Sequence, residues 1–138
     1  MRDDRLIGYW SEAQLNPSSP ELTELGFRCD GSGWLYWSSW STAFVVYRFT
    51  WRMPAPGRIA AHLRLAVDGA WSMTGDVTRH RVERWQNVDT TVTVGCDIEP
   101  GPKLTLDRPL DDALGGTEFL PVADGGADPT LATALPLG

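Results

Sequence analysis

The stretch TAFVVYRFTWRMPAPGRIAAHLRLAVD, residues 42–68, decides the fold. Two long runs flank Pro54-Ala55-Pro56-Gly57, and apolar and polar residues alternate along each of them. Ala43, Val45, Tyr47, Phe49, Trp51 and Met53 fall in one phase of the first run, with Arg48, Thr50 and Arg52 in the other. In the second run Ile59, Ala61, Leu63, Leu65 and Val67 oppose Arg58, His62, Arg64 and Asp68. Successive side chains of a strand point to opposite faces, so a period of two marks one buried and one wet face. The stretch predicts a β-hairpin of two one-sided strands.

Working outward, strands are predicted over 5–11, 23–29 and 34–40 before the hairpin, and over 77–86, 88–98 and 103–107 after it. Asp30-Gly31-Ser32-Gly33 is a hairpin turn, since glycine supplies positive φ without steric penalty. Residues 69–75 read as a loop in which Trp71 and Met73 close over something. Pro100-Gly101-Pro102 ends the seventh strand, and 109–120 holds a helical turn and a stub of strand. Eight consecutive strands with short connections make an all-β up-and-down meander. Strands of about ten residues span roughly 33 Å, long for an open sheet, so an eight-stranded antiparallel barrel is expected. The interior of such a barrel is filled by side chains or holds one small ligand.

The 138 residues suffice for one domain, taken as 1–122. Residues 123–138 contain no aromatic and no basic residue and are expected as a flexible tail. The net charge of −6 and pI near 4.7 argue against nucleic acid, whose phosphates need a clustered basic surface. Eleven of the twelve basic residues are Arg and one, Lys103, is Lys, which reads as coding bias. The charged start, Met1-Arg2-Asp3-Asp4-Arg5, has no apolar segment behind it, and no run reaches the length of a membrane span. A cytoplasmic protein without a membrane partner is expected, with Cys29 and Cys96 as core thiols.

Gly8-Tyr9-Trp10 resembles the glycine-x-tryptophan signature that opens lipocalin-like barrels of the calycin group, in which the tryptophan plugs the closed end. Leu25-Gly26-Phe27 before Asp30-Gly31-Ser32-Gly33, then Phe49-Thr50-Trp51 and Leu104-Thr105-Leu106, extend the likeness to small bacterial lipocalin-like domains over residues 5–120. The C-terminal side departs from it, with no helix followed by a ninth strand. The resemblance implies a small apolar molecule held in the lumen.

Seven tryptophans are a heavy load for this length, and five of them lie between Trp10 and Trp51. By phase, Tyr36 and Tyr47 are expected inward. Trp34, Tyr36 and Trp40 share a phase and would line the barrel mouth opposite Trp37. With Phe49, Trp51, Trp71, Met73 and Trp85 they form the candidate ligand-binding set. The strand 77–86 breaks the alternation, because neither Val77, Arg79, Arg81, Glu83 and Trp85 nor the opposite phase is cleanly apolar. Taking the Trp85 face inward sends Arg81 and Glu83 toward the lumen, where burial would require them to pair. Tyr47, Arg81 and Glu83 are therefore the candidate catalytic residues. The alternative is an edge-like strand with solvated charges. His62 and, on this choice of face, His80 point outward. No metal site and no cofactor are expected, because the two histidines have no facing cluster and no nucleotide fingerprint or nucleophile elbow is present.

Three functions fit. One is a lipocalin-like protein binding a small hydrophobic or aromatic molecule inside the barrel. Another is a cofactor-free cyclase or isomerase acting on a polyketide- or polyene-like substrate in that lumen. The third is a protein-interaction or immunity-type module using outer Trp and Arg. An exposed aromatic strand would also support a homodimer. Interior polarity discriminates between these readings: a filled lumen leaves the interaction module, and convergence of Tyr47, Arg81 and Glu83 favours the enzyme.

Overall fold

The computed structural model describes residues 3–111 and 115–122. A 3-10 turn at Asp4–Leu6 leads into β1 (Gly8–Ser11), β2 (Glu21–Phe27), β3 (Ser32–Ser39), β4 (Ala43–Ala55), β5 (Arg58–Thr74), β6 (Val77–Glu99), β7 (Lys103–Leu106) and β8 (Glu118–Val122). All neighbours are antiparallel and in chain order, and β8 returns to β1, closing the expected barrel. The tail expected over 123–138 lies outside the described residues.

The strands differ in detail from those expected. The loop predicted at 69–75 is the outer half of β5, which turns into β6 through Gly75 (φ 62°) and Asp76. A glycine followed by a short polar residue is a tight hairpin turn. The strands predicted at 77–86 and 88–98 are one strand, β6, and the final strand is β8.

β4 keeps the expected phase from Ala43 to Met53, and its ladder with β5 shifts before Ala55. Its Phe49, Trp51 and Met53 face the barrel interior and pack with Trp10, Leu25, Phe27, Leu35, Leu104 and Phe119, among others. Trp10 donates its indole N–H to the Leu6 carbonyl at 2.8 Å, so burial leaves no polar atom stranded.

β5 departs from the expected phase. Phe49 pairs with Leu63 while Arg48 pairs with Leu65, so Arg64 stands outside the ladder as an extra residue. One extra residue flips every later side chain to the other face. Ile59, Ala61 and Leu63 point into the barrel, but Leu65 and Val67, expected beside them, point out through the wall. A second shift sets Asp68 against Arg84 and Gly69 against Val82, leaving Glu83 as the extra residue.

β6 meets β7 only at Cys96–Glu99, β5 stays paired with β4 as far as Ala70, and beyond that point β5 and β6 run on as a two-stranded arm. The arm curls over the outer face of β3 and β4. Trp71 donates its indole N–H to the Ser39 carbonyl at 3.0 Å, and His80 stands T-shaped to Phe44 with centroids 4.9 Å apart. Trp34, Phe44, Val46, Leu65 and Val67 are buried there as a second core outside the barrel. Two glycines permit the close approaches: a Cβ on Gly26 would overlap the Trp34 ring, and one on Gly69 would overlap the Arg81 carbonyl.

Candidate functional site

Register places the expected site residues. In β3, Leu35 and Trp37 face the barrel core, whereas Trp34 and Tyr36 belong to the opposite face. This corrects the expectation that Trp34 and Tyr36 line the mouth with Trp37 opposite. Trp34-Leu35-Tyr36-Trp37 is apolar in both phases, and the arm covers the outer one. Phe49 and Trp51 are spent in the barrel core, where both rings pack on Phe27.

Four of the expected ligand residues, Tyr36, Trp40, Trp71 and Met73, converge on a cleft of about 290 Å³ between the end of β3 and the arm. Ligand sites occupy about 300–1,000 Å³, so this one suits a small molecule. Trp40 is 68% exposed and Met73 59% exposed, while Tyr36 and Trp71 are half-buried. Large apolar side chains held at the mouth of a concave site mark an interface or a ligand. Pro20 and Leu22 extend the apolar lining, Ser38, Ser39 and Thr78 add hydroxyl-bearing residues, and among the described residues no Arg or Lys lines it. Glu21 borders the cleft, but its carboxylate accepts from the Trp37 indole on the opposite face of the sheet.

Tyr36 supplies the polar part. Its hydroxyl lies 2.9 Å from His80 Nε2, and Ser38 hydrogen-bonds it as well. Burial pushes the phenol above its ordinary value, the Ser38 bond opposes this, and the Glu24 charge adds to it. Glu24 pairs directly with Tyr36 across β2 and β3. Its own carboxyl is pushed up by burial and held back by a hydrogen bond from Ser11. His80, expected outward, packs against Phe44 and Tyr36 within the second core.

Tyr47 lies elsewhere, beside a cavity of about 460 Å³ at the barrel mouth lined by Leu63, Val88, Val92, Leu110 and Asp111 among others. Its phenol is pushed up to about 12, first by burial and then by its hydrogen bond with the Asp111 carboxylate. Arg81 and Glu83 do not join it. They pair with each other at 3.1 Å with side chains 76% and 49% exposed, because this half of β6 runs past the barrel wall and its inward phase meets water. The expected lumenal pair is thus a surface pair, worth about 0–1 kcal/mol. Trp85 is 45% exposed and lies on the phase opposite Arg81, since Val67 faces Trp85 and the shift at Glu83 intervenes.

His62 bonds Asp89 at the surface, Nε2 to Oδ1 at 2.5 Å. No disulfide joins Cys29, which is exposed, to Cys96, which is half-buried. Among the described residues no group of three His, Cys, Asp or Glu is placed to hold a metal, and no helix is long and apolar enough to cross a membrane. Set against family models, curated proteins and solved structures, the chain matches none. The fold and site define a closed eight-stranded barrel with an aromatic cleft outside its wall.

Proposed function

We propose that the protein binds a small hydrophobic or aromatic molecule, and that the cleft under the arm receives it. One observation carries this reading: Trp40 and Met73 are held exposed at the opening of a cleft whose deeper wall is Tyr36 and Trp71. Tyr36 and Trp71 are already held by hydrogen bonds to His80 and to the Ser39 carbonyl, and rings fixed in advance offer large contact area at little further ordering of the protein. The Tyr36–His80 pair gives the ligand a polar point of reference. The packed interior disfavours a ligand inside the barrel, which is what the likeness of Gly8-Tyr9-Trp10 to lipocalin-like barrels implies, so this reading rests on the cleft alone, and a partner protein seated on the exposed Trp40 is its competitor.

The test is native mass spectrometry with a panel of small aromatic and aliphatic molecules, followed by titration of the best binder. Trp40→Ala removes an exposed anchor, so affinity should fall by about tenfold while the thermal midpoint stays within a few degrees. Undiminished binding to Trp40→Ala and to Met73→Ala would refute the cleft as the site.

A second reading places the ligand at the barrel mouth, favoured by the larger cavity beside Tyr47. There a neutral phenol oriented by Asp111 could polarise a substrate oxygen, in the manner of a cofactor-free cyclase or isomerase. Loss of binding or turnover in Tyr47→Phe, with none in Trp40→Ala, would select it.

A further inference from the structure

We infer that the outer wall of β4, β5 and β6, between the arm and the turn at Pro56-Gly57, is a docking face for an acidic, extended segment of a partner protein. The inference is independent of the cleft and its ligand. Thr50 and Arg52 alternate with the core residues Phe49, Trp51 and Met53, so they point outward. By the same alternation Arg58, Ala60 and His62 point outward from β5, and Thr93 points outward between Val92 and Val94 of β6. Register assembles them into one surface, with Ala60 directly between Arg52 and Thr93. Arg58 is the diagonal neighbour of Arg52 across the ladder, about 7–8 Å away. Arg64, the extra residue of β5, is exposed further along the same strand. Arg108 reaches the edge of β6 and donates to the Thr93 carbonyl at 2.7 Å. The floor between these guanidiniums consists of small side chains.

The charges on this wall lack counterions. Among the described residues Arg52, Arg58 and Arg64 are exposed and form no ion pair, whereas Arg5, Arg81 and Arg84 each pair with a carboxylate. The carboxylates that border the wall are engaged elsewhere: Asp89 bonds His62, Asp30 accepts from Ser32 and Asp107 stands over Gly95. Like charges at neighbouring strand positions repel. The chain has 18 carboxylates to 12 basic residues, so abundant arginine explains the number of guanidiniums and not their segregation from carboxylates. A guanidinium pairs with a carboxylate through two parallel hydrogen bonds. Three strands about 4.8 Å apart make the wall about 10 Å wide, and the positions from Arg58 to Arg64 span about 20 Å. Those dimensions match an extended peptide of about six residues. A nucleic acid would run on past the wall into Asp89, Asp107 and an acidic remainder. Arg52, Arg58 and Arg64 line neither of the cavities described above, which disfavours a small free anion.

The experiment is calorimetric titration of the full chain with hexaglutamate, with its uncharged glutamine analogue and with hexathymidylate, at low and at physiological salt. Each exposed guanidinium–carboxylate pair contributes about two- to fivefold. Hexaglutamate should therefore bind about tenfold or more tightly than the glutamine peptide at low salt, and screening should remove most of that advantage at physiological salt. Arg52→Gln combined with Arg58→Gln should weaken hexaglutamate by about fivefold or more, with the circular dichroism spectrum and thermal midpoint unchanged. Arg81→Gln, on the arm, should leave its binding as it was. Equal binding of hexaglutamate and the glutamine peptide, or binding that the double variant does not weaken, overturns the docking face. Tighter binding of hexathymidylate than of hexaglutamate overturns the protein partner in favour of a nucleic acid.

Discussion

Replacing Phe44 with alanine tests whether the outer face of the barrel wall is a true core. Phe44 has no exposed surface. Its ring stands 4.9 Å from His80 and 6.4 Å from Tyr36, centroid to centroid. Val46, Leu65 and Val67 around it are also fully buried, and they sit on strands fixed by their ladders, so the site has little freedom to collapse. Buried Phe→Ala replacements destabilise by about 3–5 kcal/mol. Loss of two ring contacts places this one in the middle to upper part of that range, or about 4 kcal/mol. With a urea slope of about 2 kcal/mol per molar, the midpoint should fall by about 2 M at unchanged slope. Far-UV circular dichroism in urea measures it, and Arg52→Ala, exposed on the same strand, serves as reference within about 0.5 kcal/mol. A loss below about 1 kcal/mol for Phe44→Ala would mean that water reaches this face. The second core and the cleft built on it would then both be wrong.

Other outcomes follow from individual residues. Burial raises the folded-state carboxyls of Glu12 and Glu24 above their ordinary value, so in that window the native state holds more protons than the unfolded chain. Stability should therefore decrease as pH rises through the window. Glu24→Gln should flatten that slope and raise the midpoint at neutral pH, as read by urea unfolding between pH 4 and 8; an unchanged slope refutes it. Tyr47 should resist ionisation until about pH 12, so its contribution is intact below pH 10 and lost as pH climbs through 12. Ultraviolet titration of wild type and Asp111→Asn measures this, with the variant titrating lower. Gly69→Ala should destabilise by about 1–3 kcal/mol, because its Cβ would displace the Arg81 carbonyl from the partner strand. A neutral effect would show that the arm does not bend there as described.

The barrel is legible in the sequence because β4 holds one phase from Ala43 to Met53 and the turns around it are glycine- or proline-marked. The second core is not, and the reason is local. Leu63, Leu65 and Val67 continue the alternation without a break in the sequence, although Arg64 has already moved the later two to the other face. A signal did exist in Phe44-Val45-Val46, a continuous apolar run of the kind that strands buried on both faces carry. The same applies to Trp34-Leu35-Tyr36-Trp37, where both phases are apolar and alternation cannot choose between them. Trp71 and Met73 are legible as residues that close over something. The partnership of Tyr36 with His80 is not, because it spans 44 positions and depends on how the arm curls.

The register shifts at Arg64 and Glu83 explain why the candidate site lies outside the barrel. The interior is packed with Trp10, Phe27, Phe49, Trp51, Met53 and Phe119, and the cavity beside Tyr47 opens at the mouth. A chain that fills its lumen must build a concave apolar surface elsewhere, and a wall with one wet face provides none. The extra residue at Arg64 turns Leu65 and Val67 outward, and the extra residue at Glu83 accompanies the bend that brings Trp71 and His80 over β3. Both extra residues are charged and exposed, as suits positions that the ladder pushes into water. An ordinary barrel strand thereby becomes a cover with an apolar underside, and Trp40 meets Trp71 and Met73 across the opening that remains.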